Sequence, residues 1–228
     1  MSRPFLLLQT GSAPDRVRRR RGDYPDWFRR AMRLPRAALV VADARTAAPL
    51  PDPRGHAGVV VTGSDAMVSH REPWGEAAAH WLRGAVEGGA FVFGVCYGHQ
   101  LLGHALGGQV DDNPRGEELG TTWVERLPAA AHDPLFTALP QRFRAQSAHR
   151  QSVLQPPPGA LPLARSDREP LQAMRIGERA WGVQFHPEFS AGAMRGFLDP
   201  GAPRAVAAPA PQAARLLRRF VALVRGAR

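Results

Sequence analysis

Four short apolar runs constrain this chain most: Phe5-Leu6-Leu7-Leu8, Ala38-Leu39-Val40-Val41, Val59-Val60-Val61 and Phe91-Val92-Phe93. Each is bounded by Gly, Pro, Asp or Thr, and the pattern reads as buried parallel strands. Between them, Asp26 to Leu34 (DWFRRAMRL) and Pro73 to Val86 (PWGEAAAHWLRGAV) carry helical spacing with polar faces, the second opening on a proline suited to a first helical turn. The first half is therefore a βαβ series. From Thr121 onward the pattern changes to strand-like pieces with turn signals (TTWVERL, RFRAQSAH, LQAMRIGERAWGVQF), which predict antiparallel strands flanking or extending the parallel sheet. The fold class is α/β, a mostly parallel central sheet flanked by helices with an added antiparallel section.

With 228 residues and 44% hydrophobic content, the chain is expected to form one globular domain over 1–228. Residues 199–212 are Pro/Ala-rich and read as a loop; 213–226 read as a C-terminal helix with Leu216, Leu217, Phe220, Val221 and Val224 on one stripe. A single cysteine forms no internal disulfide, and no N-terminal run has a signal-peptide pattern, so a cytoplasmic setting is expected. No segment approaches the roughly 18 to 20 apolar residues of a membrane span. The formal charge of +10 and the cluster Arg16, Arg18, Arg19, Arg20 and Arg21 raise nucleic acid as a partner. Against it, lysine is absent, which points to coding bias, and no zinc-finger or RNA-binding signature accompanies the arginines. The cluster is read as a solvated loop, and neither a nucleic-acid nor a membrane partner is expected.

The one cysteine, Cys96 in FVFGVCYGHQ, follows a buried strand and precedes a helical run, Gln100 to Leu106. That places it on a tight strand-to-helix turn at the carboxyl end of the sheet, where α/β proteins hold their chemistry. Such a turn exposes the sulfur, lets a helix N-terminus favour the thiolate, and aims the next backbone N–H at a carbonyl under attack. An isolated cysteine is more often a small buried hydrophobe. Gly94 and Gly98 on either side argue for a backbone held in unusual geometry. A thiol nucleophile needs a base, and His186, in WGVQFHPEFS, again ends a strand-like run, with Glu188 two residues on. Each alone is readable as an ordinary strand-end residue; together with Cys96 they compose a triad in which the carboxylate orients the imidazole.

GVCYGHQ and GVQFHPEFS resemble the nucleophile and histidine motifs of class I glutamine amidotransferases, most of all stand-alone members similar to the glutaminase domain of GMP synthase. LLLQTGSAP, GDYPDWF, VVTGSDAMV and QSAHRQSVLQPPPGALPLARSD have counterparts in the same order. The resemblance implies a flavodoxin-like class I glutaminase fold with Cys96 as nucleophile, His186 as base and Glu188 as its orienting residue. It also implies hydrolysis of the glutamine side-chain amide through a γ-glutamyl thioester, with release of ammonia. The oxyanion would be met by the Tyr97 N–H and by the loop at Gly63-Ser64. Gln100 resembles a glutamine-contacting residue, with a buried structural bond as the equal alternative. His149 and Arg150 lie in the loop that reads the substrate's α-end, where many relatives have Ser-His-Gly-Asp and this chain has Ala148-His149-Arg150-Gln151. Arg150 either points to solvent or changes what the α-end may carry. No cofactor or metal is called for.

Three functions stay open at this point. One is a glutaminase supplying ammonia to a separate synthase subunit, since these residues contain no ATP- or acceptor-binding domain. The second is a stand-alone hydrolase of γ-glutamyl peptides or conjugates, and the third a non-catalytic binding protein of the same fold. The intact Cys96, His186 and Glu188 argue against the third.

Overall fold

The computed structural model describes residues 3–198 and 206–227. Among these residues, nine strands make one sheet. In chain order they are β1 (Phe5–Gln9), β2 (Leu39–Asp43), β3 (Val59–Val61), β4 (Val92–Val95), β6 (Glu118–Arg126), β7 (Arg142–His149), β9 (Ala160–Arg165), β10 (Ala173–Ile176) and β11 (Ala180–Val183). Their spatial order is β2-β1-β3-β4-β11-β10-β9-β6-β7. The four apolar runs are the parallel strands, and β11 continues the parallel section by pairing with β4. The antiparallel section begins on the other edge of β11, at its hairpin with β10, and runs through β9 and β6 to β7. The expected architecture is thus present. Two strands, β5 (Gln109–Asp112) and β8 (Gln151–Gln155), form a separate small sheet that the sequence pattern did not announce.

The alternation of side chains along a strand divides the core in two. Phe5 and Leu7 face α2 (Tyr24–Met32) and α6 (Arg215–Gly226), whereas Leu6 and Leu8 face α3 (Pro73–Glu87) and α4 (Tyr97–Ala105). A short helix, α5 (Ala191–Phe197), follows the last strand and is capped by the Ser190 hydroxyl. The α6 stripe predicted from spacing is wholly buried, and its Phe220 packs between Phe5, Phe93 and Trp181 at ring distances of 5.3–6.4 Å. Within the Pro/Ala-rich stretch, residues 206–210 belong to no helix or strand, and 199–205 lie outside the described residues. Among the described residues, no helix is long and apolar enough to cross a membrane.

Three expectations need correction. The run at Ala38–Val41 is a strand but not a buried one: β2 is the sheet edge, and Val40 and Val41 are 38% and 44% exposed. The arginine cluster is not a loop but a helix, α1 (Asp15–Arg21). Buried Val17 anchors it, Asp15 in its first turn pairs with Arg18 at 2.7 Å, and arginines at its C-terminal end meet the negative pole of the helix dipole. Finally, α2 begins at Tyr24 rather than Asp26, because Asp23 caps it by accepting the Tyr24 N–H.

Candidate active site

The strand β4 ends in a bend at Cys96, whose φ of 52° and ψ of −107° are rare for a residue with a side chain. Such a conformation costs on the order of 1–3 kcal/mol and persists only when its surroundings impose it. Here the Cys96 N–H donates to Val183 at 2.9 Å, the Cys96 carbonyl accepts from Gln100 at 3.0 Å, and the Gly98 N–H donates to Thr62 at 3.1 Å. The two glycines flanking the bend serve a different end from the one their presence suggested. Neither has a positive φ. A side chain at Gly98 would lie 2.6 Å from the Val61 carbonyl oxygen, and one at Gly94 would collide with the Gly98 carbonyl. They allow α4 to descend onto the strands, while the unusual geometry resides in the cysteine itself.

His186 follows β11, the neighbour of β4, so the register that pairs Val183 with Val95 carries both residues to one end of the sheet. Its Nδ1–H donates to Glu188 Oε1 at 2.8 Å, which leaves Nε2 as the free nitrogen. Phe189 stacks on the imidazole at 4.0 Å and 20°, and Trp27 holds Phe189 edge-on at 5.3 Å. Both partners of the pair are buried, the Glu188 side chain completely. Burial alone would depress the imidazole, but the Glu188 carboxylate and the Cys96 sulfur outweigh it, and its pKa is pushed up to about 10. The pocket thus favours an imidazolium beside the sulfur.

The turn after β3 is equally constrained. The Gly63 carbonyl accepts from the Thr62 hydroxyl at 3.0 Å and the Thr10 hydroxyl at 3.2 Å. Because a trans peptide points its N–H opposite its C=O, the Ser64 N–H is directed away from these threonines. Tyr97, the first residue of α4, has the N–H that a helix start leaves without an intrahelical acceptor. Gly63 itself lies against His186 and Cys96: a side chain there would be 2.9 Å from His186 Cε1 and 3.5 Å from Cys96 Cβ.

Cys96, His186, Ser64, Gln100, His149 and Arg150 all line one cavity of about 450 Å³. Their side chains are not equally available to a ligand. Both contacts of the Gln100 amide nitrogen are structural, to the Gln151 carbonyl at 2.8 Å and Gln184 Oε1 at 3.0 Å; its oxygen has no partner among the described residues. The His149 imidazole is turned into the protein, between the Gln151 carbonyl and Glu118. Arg150 is 56% exposed and 3.5 Å from Asp112, at the cavity's rim. The sequence reading missed Tyr24, Asp65 and Glu117, which also line the cavity. Burial, Glu188 and Cys96 hold the Tyr24 hydroxyl well above its usual range, so it enters the cavity as a donor. The GDYPDWF segment was the one available signal for it.

Residues 54–198 match the family model for class-I glutamine amidotransferases. Over 132 residues the chain is 40% identical to the glutamine-hydrolysing GMP synthase of Aeropyrum pernix, covering 58% of this chain and 24% of that protein. Over 98 residues it is 42% identical to a glutamine-hydrolysing GMP synthase subunit of Methanopyrus kandleri, covering 42% of this chain and 51% of that one. The chain thus spans about a quarter of the length of the first of these relatives and about half of the second. A glutamine amidotransferase of Methylobacillus flagellatus superposes with a TM-score of 0.71 at 25% identity, covering 99% of this chain and 91% of that chain. One of Thermotoga maritima reaches 0.75 at 20% identity, over 98% and 99%, a likeness of fold. With the family model matched across most of its length, the chain belongs to the class I glutamine amidotransferases.

Proposed function

We propose that this protein hydrolyses the side-chain amide of glutamine through a γ-glutamyl thioester on Cys96 and delivers the ammonia to a separate acceptor-using chain. The observation that carries the reading is the strained Cys96 elbow facing a His186 that Glu188 orients at 2.8 Å. The Cys96 sulfur attacks the amide carbon, and its proton passes by way of His186 to the departing nitrogen, so that a C–S bond replaces the C–N bond and ammonia leaves. Water, deprotonated by His186, then attacks the thioester; glutamate leaves and the thiol re-forms. In both steps the Tyr97 and Ser64 N–H groups serve the oxyanion, a role in which one donor is worth on the order of 10²–10³ in rate. The cavity volume suits a ligand of amino-acid size. Relatives named as one subunit of a glutamine-hydrolysing GMP synthase support glutamine as substrate and a partner in another chain.

Arg150 at the rim favours a second reading, a hydrolase of γ-glutamyl peptides or conjugates, since a guanidinium there suits a carboxylate carried beyond the α-position. The two readings differ only in the leaving group. Ammonia release from glutamine, compared with hydrolysis of γ-glutamyl dipeptides by the purified chain, separates them. A glutamine-like chloroketone should add once per chain, at Cys96. Labelling elsewhere, or turnover surviving Cys96→Ala, overturns both.

A further inference from the structure

Behind the cavity, Glu118, His149 and Glu169 form a buried ionic cluster that the catalytic reading leaves unused; the His149 side chain is 1% exposed and that of Glu169 0%. The Nδ1 atom of His149 lies 3.0 Å from the Gln151 carbonyl, which only accepts, so Nδ1 carries a hydrogen. Its Nε2 atom faces Glu118 Oε2 at 3.2 Å. Glu118 is surrounded by donors: the Ser166 hydroxyl at 2.7 Å, Gln172 Nε2 at 2.5 Å and the Thr122 hydroxyl at 3.2 Å. Burial works against its charge, but His149 and Ser166 prevail and hold the Glu118 carboxyl below the usual range. With three donors already on its two oxygens, the Glu118 carboxylate meets Nε2 as an acceptor, so Nε2 carries a hydrogen as well. Glu169, 3.9 Å from Nδ1, faces the same ring from the other side.

The consequence lies in what the ring holds. The Gln151 carbonyl that takes the His149 N–H also takes the Gln100 amide at 2.8 Å, and Gln100 stands one turn beyond the nucleophile on α4. One carbonyl therefore ties residues 148–151, the bend at Arg150 with the adjoining ends of β7 and β8, to the nucleophile helix, and the Ala148 carbonyl within it receives the Cys96 thiol at 3.7 Å.

We propose that Glu118 is a positioning residue: through His149, kept as a buried imidazolium, it sets the backbone of residues 148–151 and thereby the fit of the substrate's α-end. This rests on reading 148–151 as a substrate loop, and the experiment separates the two claims. Nitrogen-15 spectra of histidine-labelled full-length protein should show His149 with hydrogens on both nitrogens, and Glu118→Gln should remove the one on Nε2. In the same variant the KM for glutamine should rise on the order of tenfold or more, the worth of one charged hydrogen bond. The rate at which iodoacetamide alkylates Cys96 should change far less than KM, because that reagent does not bind through these residues and their one contact with the sulfur, the Ala148 carbonyl at 3.7 Å, is a weak one. Ser166→Ala, a milder loss of one donor to Glu118, should shift KM the same way by less; it decides the kinetic arm should Glu118→Gln not fold. A neutral His149 in the unsubstituted protein overturns the proposal. So does a KM unmoved by either variant, or a rise in KM accompanied by an equal loss of Cys96 alkylation, which would mark general loosening. If the unsubstituted protein releases no ammonia from glutamine, the function fails, while the nitrogen spectrum still decides the state of His149.

Discussion

Gly63→Ala tests the geometry of the proposed Cys96–His186 pair with one methyl group. The added carbon would lie 2.9 Å from His186 Cε1, whereas ordinary contact begins near 3.4 Å, so the ring or the loop must yield by about 0.5 Å. Neither is free to do so. Phe189 backs the imidazole at 4.0 Å and Glu188 holds its Nδ1 at 2.8 Å, while the Thr10 and Thr62 hydroxyls pin the Gly63 carbonyl. A misplacement of about 1 Å costs a catalytic group on the order of 10²-fold, so half of that should lower kcat/KM about tenfold. The overpacking should also cost roughly 1–3 kcal/mol of stability. The assay is ammonia release from glutamine, with urea unfolding on the same samples. Gly84→Ala is the control, since its methyl meets nothing within 4 Å on helix α3, and it should leave turnover intact while stabilising the fold by about 0.4–1 kcal/mol. A Gly63→Ala protein with unaltered kcat/KM would refute the claim that His186 is immobilised against this loop.

Cys96→Gly and Cys96→Ala should both abolish turnover, but the glycine variant should be the more stable by about 1 kcal/mol or more, reversing the usual order, because glycine accepts φ 52° without strain; denaturant midpoints in the opposite order would disprove stored strain. A folded-state imidazole raised to about 10 adds stability that is fully present below its ordinary pKa of 6.5 and lost as pH rises toward 10. Accordingly, the Tm of the unsubstituted protein should fall between about pH 6 and pH 10 more than that of Glu188→Gln, and parallel curves would contradict the pairing. Glu188→Gln should also cost less activity than loss of His186, since it keeps the hydrogen-bond shape. Arg150→Gly should change the ratio of kcat/KM for glutamine and γ-glutamyl dipeptides by about ten- to a hundredfold if the guanidinium selects substrate; an unchanged ratio assigns Arg150 to solvent and to Asp112.

The strands β1, β3 and β4 and the helices α3 and α6 were legible because each announces itself over consecutive residues: an apolar run with a turn residue at its end, or a stripe at helical spacing. The meeting of Cys96 and His186 at one end of the sheet was legible for a related reason, since each closes such a run. Exposure of β2 was not legible, because an edge and a centre strand have the same local sequence and differ only in what pairs beside them. The helix at Arg16–Arg21 was hidden by its charge; one buried valine and one acidic neighbour are too little periodicity to read.

The sequence by itself determined the order of the elements and the end of the sheet where Cys96 and His186 gather, since these follow from residue type and short-range pattern. Only the tertiary structure decided which side chains the cavity owns. Gln100 and His149 sit in the motifs expected to touch substrate, yet both spend their nitrogens on the Gln151 carbonyl and on partners that lie 31 and 84 residues away, Glu118 and Gln184. Buried donors and acceptors must find partners, and where the partners are distant in the chain, no local pattern reveals whether a polar side chain turns toward the ligand or away from it.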